Sequence, residues 1–178
     1  IPTGTNKIKL RAVSGFGNDI WLDNICVQTS AAVANSVGLL NQGMFISTNP
    51  YWRLEDTVRV YLARTDFPNV IVDSAKSIMG GNAVEDNLFF NNAVSGTYYR
   101  IVKHRNAIET WSNVGVAYTR GSSSHHNFVP DGESYGNNMA IVSTSPFYRG
   151  MYSGDVDQNG VIDLSDVTTV YNDASAFV

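Results

Sequence analysis

The chain has 178 residues, of which 43% are hydrophobic and 16% charged, and its formal net charge is −4. That composition describes a folded, sparsely charged protein with a real core, not a disordered one. No apolar run reaches the ~18 residues of a membrane-spanning helix, and no net positive field is available to attract nucleic acid or an anionic membrane.

Residues 1–28 read as two strands. The chain opens on Ile1 with no visible signal peptide, as a processed chain does. KIKLRAV (7–13) alternates basic and apolar residues, SGFGND (14–19) is a turn cluster, and IWLDNICV (20–27) alternates again. This is the pattern of a β-hairpin. An isolated hairpin is marginal in water, so this one is expected to need partners. Cys26 is the only cysteine. It excludes an intrachain disulfide and a cysteine zinc site, and it reads as a small buried hydrophobe. Residues 29–38, TSAAVANSVG, are small and weakly patterned and read as a linker.

From 39 to 153 short alternating stretches recur between turn residues. GMFIST (43–48), TVRVYLAR (57–64), VIVDSAKSIM (70–79), NLFFNN (87–92), TYYRIVKH (97–104), GVAYTR (115–120), HNFV (126–129), NMAIVS (138–143) and FYRGMYS (147–153) are the predicted strands. Their spacing predicts an antiparallel β-sandwich.

Within that region two histidine groups invite a catalytic reading. His104, Arg105 and Asn106 with Glu109 offer acid–base chemistry; a polar turn with Trp111 as a nearby core anchor is the plainer expectation. His125 and His126 follow Ser122, Ser123 and Ser124, but no nucleophile elbow and no His-Glu-x-x-His motif accompanies them. A polar loop is the plainer expectation there too. Aromatic residues make up 11% of the chain and include Tyr51, Trp52 and Trp111. Exposed in a row, such rings stack on sugars; packed inside, they are core. Asp56-Thr57-Val58 and Asp73-Ser74-Ala75 match the Asp-Ser/Thr-apolar pattern of bacterial O-glycosylation, which makes Thr57 and Ser74 candidate acceptors.

The strongest signal is GDVDQNGVIDLSD, residues 154–166. Calcium takes roughly six to eight hard oxygen ligands, and a twelve-residue loop supplies them at its first, third, fifth, seventh, ninth and twelfth positions. Counted from Asp155, these are Asp155, Asp157, Asn159, the backbone carbonyl of Val161, Asp163 and Asp166. Gly160 stands at the sixth position, where the loop turns sharply. Ile162 is the expected apolar anchor of the loop to the core. In the LSDVTTVYNDA that follows, Leu164, Val167, Val170 and Tyr171 fall on one helical face. The four aspartates of the loop equal the excess of acids over bases in the whole chain. The carboxylate number favours Ca²⁺ over Mg²⁺, which keeps more of its waters.

On this wording, and with Asp166 where an ordinary EF-hand has Glu, residues 154–178 resemble one repeat of a type I dockerin. The resemblance implies calcium ligation by the side chains just named; it does not imply cohesin binding, because a second repeat is not present. KIKLRAVSGFGNDIWLDNICV resembles the closing strands of MAM-like or other jelly-roll domains of secreted bacterial proteins. DTVRVYLAR, YYRIVKHRNAIETWS and YGNNM resemble an Ig-like region that precedes dockerin repeats in large secreted surface proteins.

The expectation is a mainly β chain with four segments. They are a jelly-roll-like hairpin extension (1–28), a linker (29–38), an antiparallel Ig-like β-sandwich (39–153) and a calcium-loop–helix half-repeat (154–178). Both ends look incomplete, through truncation or through completion by a neighbour. The expected function is that of a non-enzymatic extracellular or cell-surface structural module. It would be a fibre protomer joined head-to-tail to identical subunits by β-strand complementation, with a calcium-stabilised C-terminus. The alternative is a glycan-binding or adhesive accessory region of a large secreted enzyme.

Overall fold

A computed structural model describes residues 33–46, 55–79 and 84–176, all within the unit Ala32–Val178. The hairpin expected at 1–28, Cys26, Tyr51 and Trp52 lie outside the described residues. Those described form ten strands and one helix: β1 (Asn35–Gly38), β2 (Asp56–Arg64), β3 (Ile71–Met79), β4 (Val84–Leu88), β5 (Gly96–His104), β6 (Ala107–Trp111), β7 (Val116–Tyr118), β8 (His125–Asn127), β9 (Ala140–Thr144), β10 (Phe147–Gly150) and α1 (Leu164–Ser175). The fold is mainly β, with antiparallel sheets and a C-terminal helix, as the strand spacing predicts.

The main sheet runs β3-β2-β5-β6, and β7 pairs with β5 beyond the end of β6. All its pairings are antiparallel. In β2 the alternation of Val58, Val60 and Leu62 puts three apolar side chains on the inner face, and all three are fully buried. Their register partners in β5 are His104, Val102 and Arg100, also buried. The second sheet runs β4-β1-β8. Val37, Leu39, Leu88 and Phe128 join the residues of β2 and β5 in one hydrophobic cluster between the layers. Burial of this kind supplies the main stabilisation of a sandwich, and truncating one such Leu costs about 2–5 kcal/mol.

Several local expectations give way to tertiary context. Asn35–Gly38, expected within a linker, is the middle strand of the second sheet, antiparallel to β4 and parallel to β8. Its sequence NSVG carries little strand propensity; it serves by being small. A Cβ on Gly38 would meet Asn127 Oδ1 at 2.2 Å, so glycine here leaves room for the Asn127 side chain between β1 and β8. GMFIST opens as a single 3-10 turn at Gln42–Met44, capped by the Asn41 side chain accepting from Gly43 N. NLFFNN reaches the sheet only through its first two residues, at the end of β4. Glu109, expected in a polar turn with His104, Arg105 and Asn106, instead lies within a strand, β6.

The end of the sandwich delivers the C-terminal loop. Met151 N donates to Leu40 O at 2.8 Å, and Gln42 N donates to Met151 O at 3.0 Å. On the other side Ile108 N donates to Tyr152 O at 2.9 Å, and Gly154 N donates to Asn106 O at 2.8 Å. Residues 151–154 are therefore clamped between the segments at 40–42 and 106–108. Asp155 begins directly beyond this clamp.

Candidate metal centre

Gly154 leaves the clamp with φ of +126°, and a Cβ there would lie 3.0 Å from Ile162 Cγ2. Ile162 thus packs against the start of its own loop. It remains 44% exposed, so the expected anchoring to the core gives way to closure of the loop on itself. Gly160 has φ of +86°, the left-handed turn for which the sequence reserves glycine.

The turn folds Asp155 and Asp157 back against the first turn of α1, which carries Asp166. One carboxylate oxygen from each lies within 4.8 Å of the others. Asp155 and Asp166 are buried and Asp157 is exposed. Asp166 is held from both sides. Its Oδ1 accepts from Val156 N at 2.7 Å and Asp157 N at 3.2 Å, and its Oδ2 accepts from Asp163 N at 2.9 Å. These backbone donors, that of Asp163 first, hold its carboxyl below the usual carboxylate range. Asp157 accepts from Asn159 N at 3.1 Å and from Ser165 Oγ at 2.7 Å.

Asp155 is different. Its Oδ2 accepts from Gly160 N at 3.1 Å, but its Oδ1 is buried with no hydrogen-bond partner. Three like charges this close, two of them out of water and one with an unsatisfied oxygen, are costly unless a cation sits among them. The donor set consists of hard carboxylate oxygens, which suits a hard cation, and the cluster is therefore able to hold a metal ion.

Asn159 and Asp163 stand at the edge of this arrangement. Asn159 Oδ1 accepts from Val161 N at 2.8 Å. Asp163 is the N-cap of α1: its Oδ1 accepts from Ser165 N at 2.8 Å, and with Asp166 it completes a capping box. Loop spacing does not reveal this second duty. The helix begins where the pattern places it, but its apolar face is not packed. Leu164, Val167, Val170 and Tyr171 are 75%, 62%, 52% and 70% exposed.

The histidine groups form no shared site. His104 is buried on the inner face of β5, with Nδ1 3.2 Å from Asn41 Nδ2 and Nε2 3.3 Å from Asp56 Oδ2. Burial lowers its pKa, and the Asp56 carboxylate opposes the shift. Glu109 lies on the outer face, where it pairs with Lys103 at 2.5 Å and accepts from Trp111 Nε1. Arg105 pairs with Asp56 at 2.7 Å. Trp111, expected as a core anchor, is half-buried on that outer face against Tyr99, with ring centroids 5.9 Å apart.

His125 and His126 sit on opposite faces of β8. His125 Nδ1 lies 2.8 Å from Ser36 Oγ at the surface. His126 packs edge-on against Phe128 at 4.4 Å, and burial with the nearby Arg100 guanidinium lowers its pKa to about 4. Ser124 is committed to Arg100 and Asn35. Arg100 itself, fully buried with its pKa lowered to about 10 by desolvation, gave no signal in the sequence. Thr57 is exposed on β2, and Ser74 is half-buried on β3, where its Oγ accepts from Arg59 at 3.4 Å.

Comparison with known protein families gives no match, and comparison with curated proteins gives none either. Two solved structures resemble the chain. One is a chain of an N-terminal interface mutant of a type II Cohesin-X-Dockerin complex from Acetivibrio cellulolyticus. It is 14% identical with a TM-score of 0.42, over 79% of this chain and 72% of that one. The other is a chain of the corresponding C-terminal interface mutant, 14% identical with a TM-score of 0.39, over 78% of this chain and 72% of that one. Likeness this low carries nothing about site or partner. Among the described residues, no helix is long and apolar enough to cross a membrane.

Proposed function

We propose that this chain is a non-enzymatic extracellular structural module whose C-terminal loop–helix is held by one Ca²⁺. The observation that carries the reading is the unsatisfied, buried Oδ1 of Asp155 inside a cluster with Asp157 and Asp166. Asp155, Asp157, Asn159, the Val161 carbonyl, Asp163 and Asp166 supply the ligands, Asp163 through a water while it caps the helix. The ion offsets half of the net charge. Extracellular calcium is on the order of millimolar, enough to fill even a weak site.

The same reading makes the chain a protomer of a surface fibre. The alternating segment at 7–13 of one copy adds to a sheet edge of the next, with backbone hydrogen bonds giving the affinity. Among the described residues β3, nine residues long, is an outer strand of the main sheet, and it is the acceptor this scheme favours. A contact of this kind is heterologous and propagates where its rotation does not close. Electron microscopy of the purified chain at high concentration in calcium tests it. Filaments, absent when residues 1–28 are deleted, are expected; a monomer at every concentration contradicts assembly. Thr57 is the more accessible of the two proposed glycosylation sites, and intact mass of protein from the native source checks it.

A further inference from the structure

At one end of the outer face of the main sheet, Thr65, Phe67, Asn69, Tyr99, Trp111 and Tyr135 line an open cleft of about 490 Å³. That volume falls within the ~300–1,000 Å³ typical of small-ligand sites. We propose that this cleft binds a neutral oligosaccharide.

Four of the six lining residues are aromatic. Phe67 is 92% exposed and Tyr135 67% exposed, and with Tyr99 and Trp111 they group exposed and half-buried rings in one place. Tyr99 and Trp111 form the half-buried floor, their planes tilted by 56°. The Trp111 ring and the turns that carry Phe67 and Tyr135 are tied down. Asn69 N donates to Asp66 O at 2.8 Å, and Asn69 Nδ2 donates to Arg64 O at 2.9 Å, which fixes the turn carrying Phe67. Trp111 Nε1 donates to Glu109, and the bridge between Ser112 and Ser134 holds the turn that carries Tyr135. A preorganised site loses little entropy when its ligand binds.

Charge narrows the ligand. None of the six lining residues is charged. The ionic groups beside the cleft are paired with each other, Arg64 with Asp66 at 2.8 Å and Lys103 with Glu109 at 2.5 Å. Paired in this way, these groups favour neither a phosphate nor an acidic peptide. Hydroxyls of Thr65, Tyr99 and Tyr135 and the amide of Asn69 stand among the rings. Flat apolar faces with interspersed hydrogen-bonding groups match a pyranose, which presents C–H faces to the rings and hydroxyls to the rim. This site is independent of the calcium loop and of assembly.

The test uses the full chain in two assays. Affinity electrophoresis in gels containing neutral β-glucan, xylan or mannan is paired with tryptophan fluorescence titration using cellohexaose, xylohexaose and mannohexaose. A proline-rich decapeptide, the other ligand for aromatic grooves, is the control. Retardation by at least one polysaccharide and a fluorescence change with its hexasaccharide are expected. Phe67→Ala and Tyr135→Ala, both at exposed positions, are expected to weaken binding about tenfold or more with unchanged thermal unfolding. Tyr171→Ala, an exposed aromatic on α1, is expected to leave it intact. Absence of binding to all three saccharides overturns the proposal. Binding unaltered by both cleft variants, or binding of the peptide alone, also overturns it.

Discussion

A carboxylate oxygen buried without a donor costs about 1–3 kcal/mol, and Asp155 Oδ1 is such an atom. The cost falls on the ion-free state, which gives Asp155→Asn a distinctive signature. In EDTA the variant loses a negative charge from a crowded cluster and is expected to be as stable as the parent or more so. In calcium it is expected to lack most of the gain, roughly 2.7 kcal/mol at a hundredfold excess over Kd, that binding gives the parent. Thermal unfolding of both proteins in both buffers checks this; an equal calcium gain in the two would count against it. The clustering of Asp155, Asp157 and Asp166 was legible because all three come from one local segment. The orphaned oxygen was not, because ligand spacing does not report which carboxylate oxygens find a donor.

The buried histidines set a second expectation at this scale. Burial lowers the pKa of His126 to about 4 and lowers that of His104, from an ordinary value of 6.5. A depressed folded-state pKa means that the unfolded chain binds more protons between the two values. The His126 contribution is therefore fully present above about pH 6.5 and falls as the pH drops toward 4, by at most about 1.4 kcal/mol per pH unit, and His104 acts in the same direction. The carboxyls of Asp66, Asp131 and Asp166 are held below 3.8 and act only at lower pH. Urea unfolding between pH 7 and 4.5 thus isolates the histidines; a flat profile would contradict their burial as neutral rings.

Strand β1 shows how an element with almost no local signal is placed by its neighbours. Gly38→Ala must displace Asn127, whose side chain lies 2.2 Å from the new Cβ. A loss of about 1–3 kcal/mol is expected in chemical denaturation; unchanged stability would mean that the room glycine leaves for the Asn127 side chain is dispensable. β6 was hidden for another reason. Its polar outer position, Glu109, pairs with Lys103 and Trp111, so the strand reads as a polar turn. For α1 the sequence predicted the helix and its apolar stripe, but periodicity alone cannot say whether a stripe is covered. With Leu164 and Val170 exposed, the variant Leu164→Glu/Val170→Glu is expected to change monomer stability by less than about 0.5 kcal/mol. A larger loss would show that the stripe packs within the monomer.

Across the whole molecule, the two-layer β architecture was legible from strand spacing, because alternation reports the inner face directly. The parallel pairing of β1 with β8 and the aromatic cleft at the end of the main sheet were not. Both bring together residues far apart in sequence, such as Phe67, Trp111 and Tyr135. In the proposed account the sandwich is a rigid body that carries a calcium-set loop–helix at one end. Isothermal titration of the calcium-free chain with CaCl₂ tests this most directly. The account predicts one Ca²⁺ per chain at submillimolar or tighter affinity, and at least about tenfold weaker binding by Asp155→Asn. Absence of stoichiometric binding at millimolar calcium, or the same affinity in the variant, would contradict it.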